Sequence, residues 1–153
     1  MVGAPGAGKS TAARKLAKEY DAVIVCGDEI RRELYGDAAH QGNWVEIHDR
    51  IVEQLEENVG KVVVLDGTHF NSSYRVGALL TLKTYGWSDI SAYVVNPSLE
   101  RCLIQNSLRS RQVPRYVLIN MYDKLQKSLD ELPYEGFTEI ITHTGTYDND
   151  TSP

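Results

Sequence analysis

An α/β fold of three layers, a parallel sheet covered by helices on both faces, is predicted by three features of the 153-residue sequence. Short apolar runs alternate with segments of helical periodicity, separated by stretches long enough for crossover helices, which makes the strands parallel and the connections right-handed. The run Val62-Val63-Val64-Leu65 is continuous rather than alternating, as in a strand buried on both faces, and ends in the polar Asp66-Gly67-Thr68. Near the amino terminus Gly3-Ala4-Pro5-Gly6-Ala7-Gly8-Lys9-Ser10-Thr11 satisfies G-x-x-x-x-G-K-[ST] and leads into a helical pattern.

The elements follow in order. Only Met1 and Val2 precede Gly3, whereas such a loop ordinarily hangs from a buried strand of about five residues. Either Met1 is an internal methionine of a longer protein, the favoured reading, or the first strand is a stub whose neighbours leave ladder groups unpaired. Residues 9–20 form a helix with Ala12, Ala13, Leu16 and Ala17 inward. Residues 22–26 are a short strand, interrupted by Gly27-Asp28, and residues 29–35 make a helical turn or two stopped by Gly36. A helix over about 43–58 places Trp44, Ile47, His48, Ile51 and Leu55 on one face, so His48 belongs to the core boundary rather than to a ligand set.

After the apolar strand at 62–65, a helix over 72–85 closes at Gly86, and residues 90–95 form the next strand before Asn96-Pro97. Ser98 caps a helix to about Leu108. Residues 109–113 break the pattern, and Pro114 opens one long helix through Leu132 with Val117, Leu118, Met121, Leu125 and Leu129 inward. Residues 139–142 supply a last strand, and the tail from Gly145 is polar and expected to fray.

No linker, repeat or low-complexity run divides the chain, so residues 1–153 read as a single domain. Nothing resembles a membrane span or a signal segment, which points to a soluble cytoplasmic protein. Cys26 and Cys102 stand far apart outside any C-x-x-C arrangement, as expected of core cysteines in a reducing compartment. The net charge of −5 argues against coating of nucleic acid by a broad basic face. A local basic region remains: between residues 100 and 127 six Lys or Arg face two acidic residues. For Arg101, Lys124 and Lys127 a solvated helical face is the better reading.

The glycine-rich loop predicts binding of a nucleoside triphosphate. Backbone N–H groups of Gly6, Ala7, Gly8, Lys9, Ser10 and Thr11 cradle phosphate at a helix N-terminus, Lys9 reaches the β- and γ-phosphates, and the Ser10 hydroxyl faces Mg²⁺. A switch, a motor and a kinase all use such a loop, and the small size disfavours a motor. Phosphoryl transfer needs a carboxylate near the acceptor hydroxyl, and Asp28 is the candidate base, with Arg31 three positions on as an anion grip; the alternative for Asp28 is a helix N-cap. Three roles stay open for Asp66: holding a magnesium-bound water, orienting Arg31, or satisfying loop amides. Thr68 and Asn71 are weaker acceptor contacts because such residues often serve the turn backbone, and His69 has no partner visible in sequence. Arg109 and Arg111 fall in the break between two helices, where a closing segment would set guanidinium groups on the triphosphate.

These residues resemble the kinase domain of bacteriophage-type polynucleotide 5′-hydroxyl kinases, within the wider group of P-loop kinases that also contains zeta toxins. Four stretches carry the likeness: the loop from Gly3 to Thr11, Asp28-Glu29-Ile30-Arg31, Asp66-Gly67-Thr68-His69-Phe70-Asn71, and Gln105-Asn106-Ser107-Leu108-Arg109-Ser110-Arg111-Gln112-Val113-Pro114 with the following helix. The resemblance implies a P-loop kinase-like fold with a helical lid and transfer of the γ-phosphoryl of ATP, with Mg²⁺, to the 5′-hydroxyl end of DNA or RNA. Lys9, Asp28 and Arg109 would be catalytic, Arg109 and Arg111 would join the nucleotide site, and Asp28, Arg31, Asp66 and Thr68 would meet the acceptor. Gln105 stands where close relatives carry another arginine, and the lid is a residue shorter. The kinase unit fills the chain, so any phosphatase or ligase activity is expected from another chain. Two other readings stay open: a small-molecule or nucleotide-sugar kinase of the same fold, and a non-catalytic nucleotide-responsive protein.

Overall fold

The computed structural model describes residues 1–145, so the expected fraying tail beyond Gly145 lies outside the described residues. Helix α1 (Lys9–Tyr20) leads to strand β1 (Val23–Cys26), helices α2 (Gly27–Tyr35) and α3 (Trp44–Glu57), strand β2 (Val63–Asp66) and helix α4 (Ser72–Thr84). Strand β3 (Ser91–Val95), helices α5 (Leu99–Ser107) and α6 (Arg115–Ser128), a 3₁₀ helix (Leu129–Tyr134) and strand β4 (Glu139–His143) complete the order. The predicted α/β class and its parallel strands are both present. β1 pairs with β2 in the register Val23 to Val63, and β3 with β4 in the register Ser91 to Glu139.

The stub is the seam between these two ladders. Val2 N donates to Tyr93 O at 2.8 Å and Val95 N donates to Val2 O at 2.8 Å, giving a single parallel bridge between Val2 and Val94. On the other side Met1 N donates to Leu65 O at 2.8 Å and Gly3 N to Thr68 O at 3.0 Å. The strand order is therefore β1, β2, stub, β3, β4, and the expectation of unpaired neighbours is corrected at these positions: a two-residue stub is long enough to satisfy the carbonyls of Leu65, Thr68 and Tyr93.

Local signals place most helix ends. Asn43 and Asn71 cap α3 and α4, accepting from Val45 N and Tyr74 N, and Ser98 caps α5, accepting from Arg101 N. α2 starts two residues earlier than expected, directly after extended Cys26. Of the predicted α3 stripe, Ile47 and Leu55 are buried with Val25 and Ile30, whereas Trp44 in the first turn stays 61% exposed with its ring near His48.

The expected single helix from Pro114 to Leu132 is two pieces. Arg75 Nη2 takes the Ser128 carbonyl at 2.9 Å, an acceptor that the next α-helical turn would need, and Pro133 has no N–H to offer Leu129. The chain tightens into the 3₁₀ helix there. Arg75 is only 1% exposed and is fully engaged: Nε and Nη2 grip Glu135 at 2.8 and 2.6 Å, and Nη1 reaches Ser128 Oγ at 3.0 Å and His69 O at 3.3 Å. Ser128 Oγ also donates to Phe70 O at 3.0 Å. This buried network fastens the end of α6 to the loop that follows β2.

Candidate active site

The phosphate loop runs from the stub into α1, and its glycines answer to close packing. A Cβ on Gly3 would stand 2.5 Å from Val95 O, and one on Gly6, where φ is +76°, would stand 2.3 Å from Cys102 O. Any side chain at either position would push the loop off β3 or α5. Gly8 is left-handed at φ 95° and caps α1 without a side chain, and the first turn of α1 carries no acidic residue. Its N–H groups and dipole are thus left to an anion.

Lys9 is buried, and its Nζ donates to Ala4 O at 2.7 Å. Burial pulls its pKa down to about 8; the Asp66 carboxylate opposes this, the Arg109 guanidinium adds to it, and Asp28 is close enough to raise it. Ser10 Oγ donates to Asp66 Oδ2 at 2.9 Å, joining the start of α1 to the end of β2. Thr68 gives its carbonyl to Gly3 N. His69, at φ 44°, holds Met1 O through Nδ1 at 2.8 Å, and burial pulls its pKa down to about 4. Asn71 Oδ1 is taken by Tyr74 N and Ser73 Oγ, both at 2.9 Å, so it serves as the α4 cap.

Asp28 lies in the first turn of α2, past the Cys26 cap position, so the N-cap alternative does not hold. Its two carboxylate oxygens are shared between two guanidinium groups: Arg31 Nη1 reaches Oδ1 at 3.2 Å and Arg111 Nη1 reaches Oδ2 at 3.0 Å. The side chains of Asp28, Arg111 and Arg31 are 45, 35 and 19% exposed. Arg31 Nε is buried and has no hydrogen-bond partner. No direct contact joins Asp66 to Arg31 among the described hydrogen bonds; the Asp66 carboxylate faces Ser10 instead.

The lid, residues 108–114, is clasped at its base by buried Asn106. Asn106 Nδ2 donates to Val113 O at 2.8 Å and Oδ1 accepts from Val113 N at 3.0 Å, while Gln112 Nε2 donates to Ser107 O at 2.9 Å. The Asn106 backbone also lies beside Gly6, so lid and phosphate loop share a wall. The two lid arginines diverge, Arg111 onto Asp28 and Arg109 within electrostatic reach of Lys9. Reading the sequence alone missed Asn106 and Arg75. An Asn near a helix end and an Arg within a helical pattern carry no sign of the distant groups they meet.

A family model described as an AAA domain matches residues 1–132. The chain belongs to this AAA domain family. A chain of the solved Pnkp1/Rnl/Hen1 RNA repair complex is similar in structure, with a TM-score of 0.70 and 23% identity over 85% of this chain and 44% of that one. This AAA domain thus spans less than half of that neighbour's length. No curated protein matches. Family and fold together make the chain a P-loop kinase-like nucleotide-binding domain, and among its described residues no helix is long and apolar enough to cross a membrane.

The lowered Lys9 pKa gives a pH signature for nucleotide binding by this AAA domain. A triphosphate favours charged Lys9, so binding at mildly alkaline pH is expected to take up protons, and affinity to weaken as pH rises further. Titration calorimetry in buffers of different ionisation enthalpy measures this directly; heats independent of the buffer would contradict it. In the free protein the sign is opposite. Between pH 8 and 10.5 the unfolded chain holds the extra proton, so stability rises with pH across that window.

Proposed function

We propose that the protein transfers the γ-phosphoryl group of ATP to the 5′-hydroxyl end of DNA or RNA. The observation that carries this reading is Asp28 beside the phosphate loop, half-exposed, with arginines on both sides. In this reading Asp28 serves as a base next to an anion grip, as phosphoryl transfer to a phosphate-bearing alcohol requires. The neighbouring fold in an RNA repair complex supports a nucleic-acid acceptor.

In this proposal the amides of residues 6–11, Lys9 and Arg109 hold the triphosphate, and Arg31 holds the acceptor phosphate next to the attacking sugar. Asp28 takes the hydroxyl proton while that oxygen bonds to the γ-phosphorus and the bond to the β-phosphate oxygen breaks, releasing ADP. Ser10 and Asp66, a hydroxyl and a carboxylate 2.9 Å apart at the loop, fit the hard oxygen ligands that Mg²⁺ takes alongside phosphate. Bound there, the ion would neutralise charge on the β- and γ-phosphates. Thr68 accepts from Gly3 N through its carbonyl, and its hydroxyl would meet the acceptor.

Transfer of labelled γ-phosphate to a 5′-hydroxyl oligonucleotide, beside a 5′-phosphorylated control and a pool of hydroxyl metabolites, tests the reading. Label only in the free 5′ end is the expected result. Label only in metabolites moves the assignment to a small-molecule kinase, and no label from folded protein that binds ATP overturns catalysis altogether.

A further inference from the structure

The geometry points to Arg111 as an acceptor-side specificity residue: with Arg31 it forms a two-guanidinium fork astride Asp28 that receives a phosphate ester next to the attacking hydroxyl. This rests on the kinase reading above and departs from the sequence-based expectation that both lid arginines serve the triphosphate. Three observations carry it. Arg111 Nη1 lies 3.0 Å from Asp28 Oδ2, on the opposite carboxylate oxygen from Arg31. Arg31 Nε is buried without a partner, a donor left in want of an acceptor that a ligand oxygen would supply. Arg109, two residues away, is the lid arginine whose charge is felt at Lys9.

Charge and geometry agree on the ligand. Two guanidinium groups and one carboxylate leave the cluster a net +1, which a single phosphodiester neutralises. Each guanidinium offers five N–H donors in a planar fork suited to phosphate oxygens, and the pair with Asp28 occupies few of them. In the free protein both oxygens of Asp28 are engaged. A phosphate drawing Arg111 toward itself frees Oδ2 for the hydroxyl, so the acceptor that fits the fork is also the one that uncovers the base.

The test compares wild type, Arg111→Ala, Arg111→Lys and Arg109→Ala on three acceptors: a 5′-hydroxyl dinucleotide, a nucleoside 3′-monophosphate and the same nucleoside without phosphate, with a simple sugar phosphate as a fourth arm. Binding of a fluorescent ATP analogue is measured without acceptor. Arg111→Ala is expected to raise KM for the phosphate-bearing acceptors by about tenfold or more, to erase most of their advantage over the plain nucleoside, whose KM does not rise, and to leave the analogue's affinity unchanged. Arg109→Ala should show the reverse, and Arg111→Lys should recover part of the loss. A Lys that restores nothing, or an Arg111→Ala that weakens analogue binding as Arg109→Ala does, overturns the assignment. Effects on the sugar phosphate alone identify a small acceptor for the same fork. If folded wild type labels none of these, the kinase reading fails, and calorimetric binding of the dinucleotide still judges Arg111: affinity unaltered by Arg111→Ala overturns the inference.

Discussion

Asp28→Asn is expected to reduce kcat by roughly 10² to 10⁴-fold, the range for losing a general base, while the affinity for ATP stays within about twofold. The substitution keeps the size of the side chain and removes the charge that both arginines share. Two consequences separate this from a folding defect. Freed of their carboxylate, Arg31 and Arg111 become a stronger anion site, so KM for a phosphate-bearing acceptor should hold or fall as kcat collapses. The melting temperature should move little, because Asp28 is 45% exposed and its ion pairs stand partly in solvent. Activity surviving within a factor of ten, about 1.4 kcal/mol, would show that Asp28 is not the base.

Arg75→Met is expected to destabilise the fold by about 3–5 kcal/mol, because it strands the Glu135 carboxylate in a buried site. For a domain of this size that lowers the melting temperature by roughly 6–20 °C. The double variant Arg75→Met with Glu135→Leu is the informative control, since replacing a whole buried pair by apolar groups is often near neutral. Recovery of most of the lost stability in the double variant is the expected result. A single-variant cost under about 1 kcal/mol, the range of a surface pair, would show the network is no structural bracket. Because Arg75 also holds His69 O and Ser128 O, its loss should loosen the loop after β2 and raise hydrogen exchange there before the strands open.

The phosphate loop, the Ser98 cap and the Asp28-Arg31 spacing were legible because each depends on residues within a turn or two of chain. Backbone geometry repeats locally, so a glycine pattern, a cap or an i,i+3 pair can be read without knowing what lies opposite. The apolar run 62–65 likewise announced a parallel strand with polar groups at its end, but not its burial: Val62 is exposed and Val63, Val64 and Leu65 are only half-buried, so the expected burial on both faces is corrected. The three contacts that organise the site are of another kind. Ser10 meets Asp66 across 56 residues, Arg75 meets Glu135 across 60, and Arg111 crosses from the lid to the first turn of α2.

No periodicity encodes such pairs, and an arginine in a helical or loop pattern looks the same whether it ends in solvent or in the core. Their partners are chosen by how the layers stack: the stub draws β2 and β3 together, that places Asp66 on the phosphate loop, and the lid's clasp on Asn106 aims Arg111 across the cleft. The chain's local patterns announced the fold class and the phosphate-loop motif. Which charges face one another there was decided by packing, because electrostatic pairing acts through space over a few ångströms and is indifferent to distance along the chain.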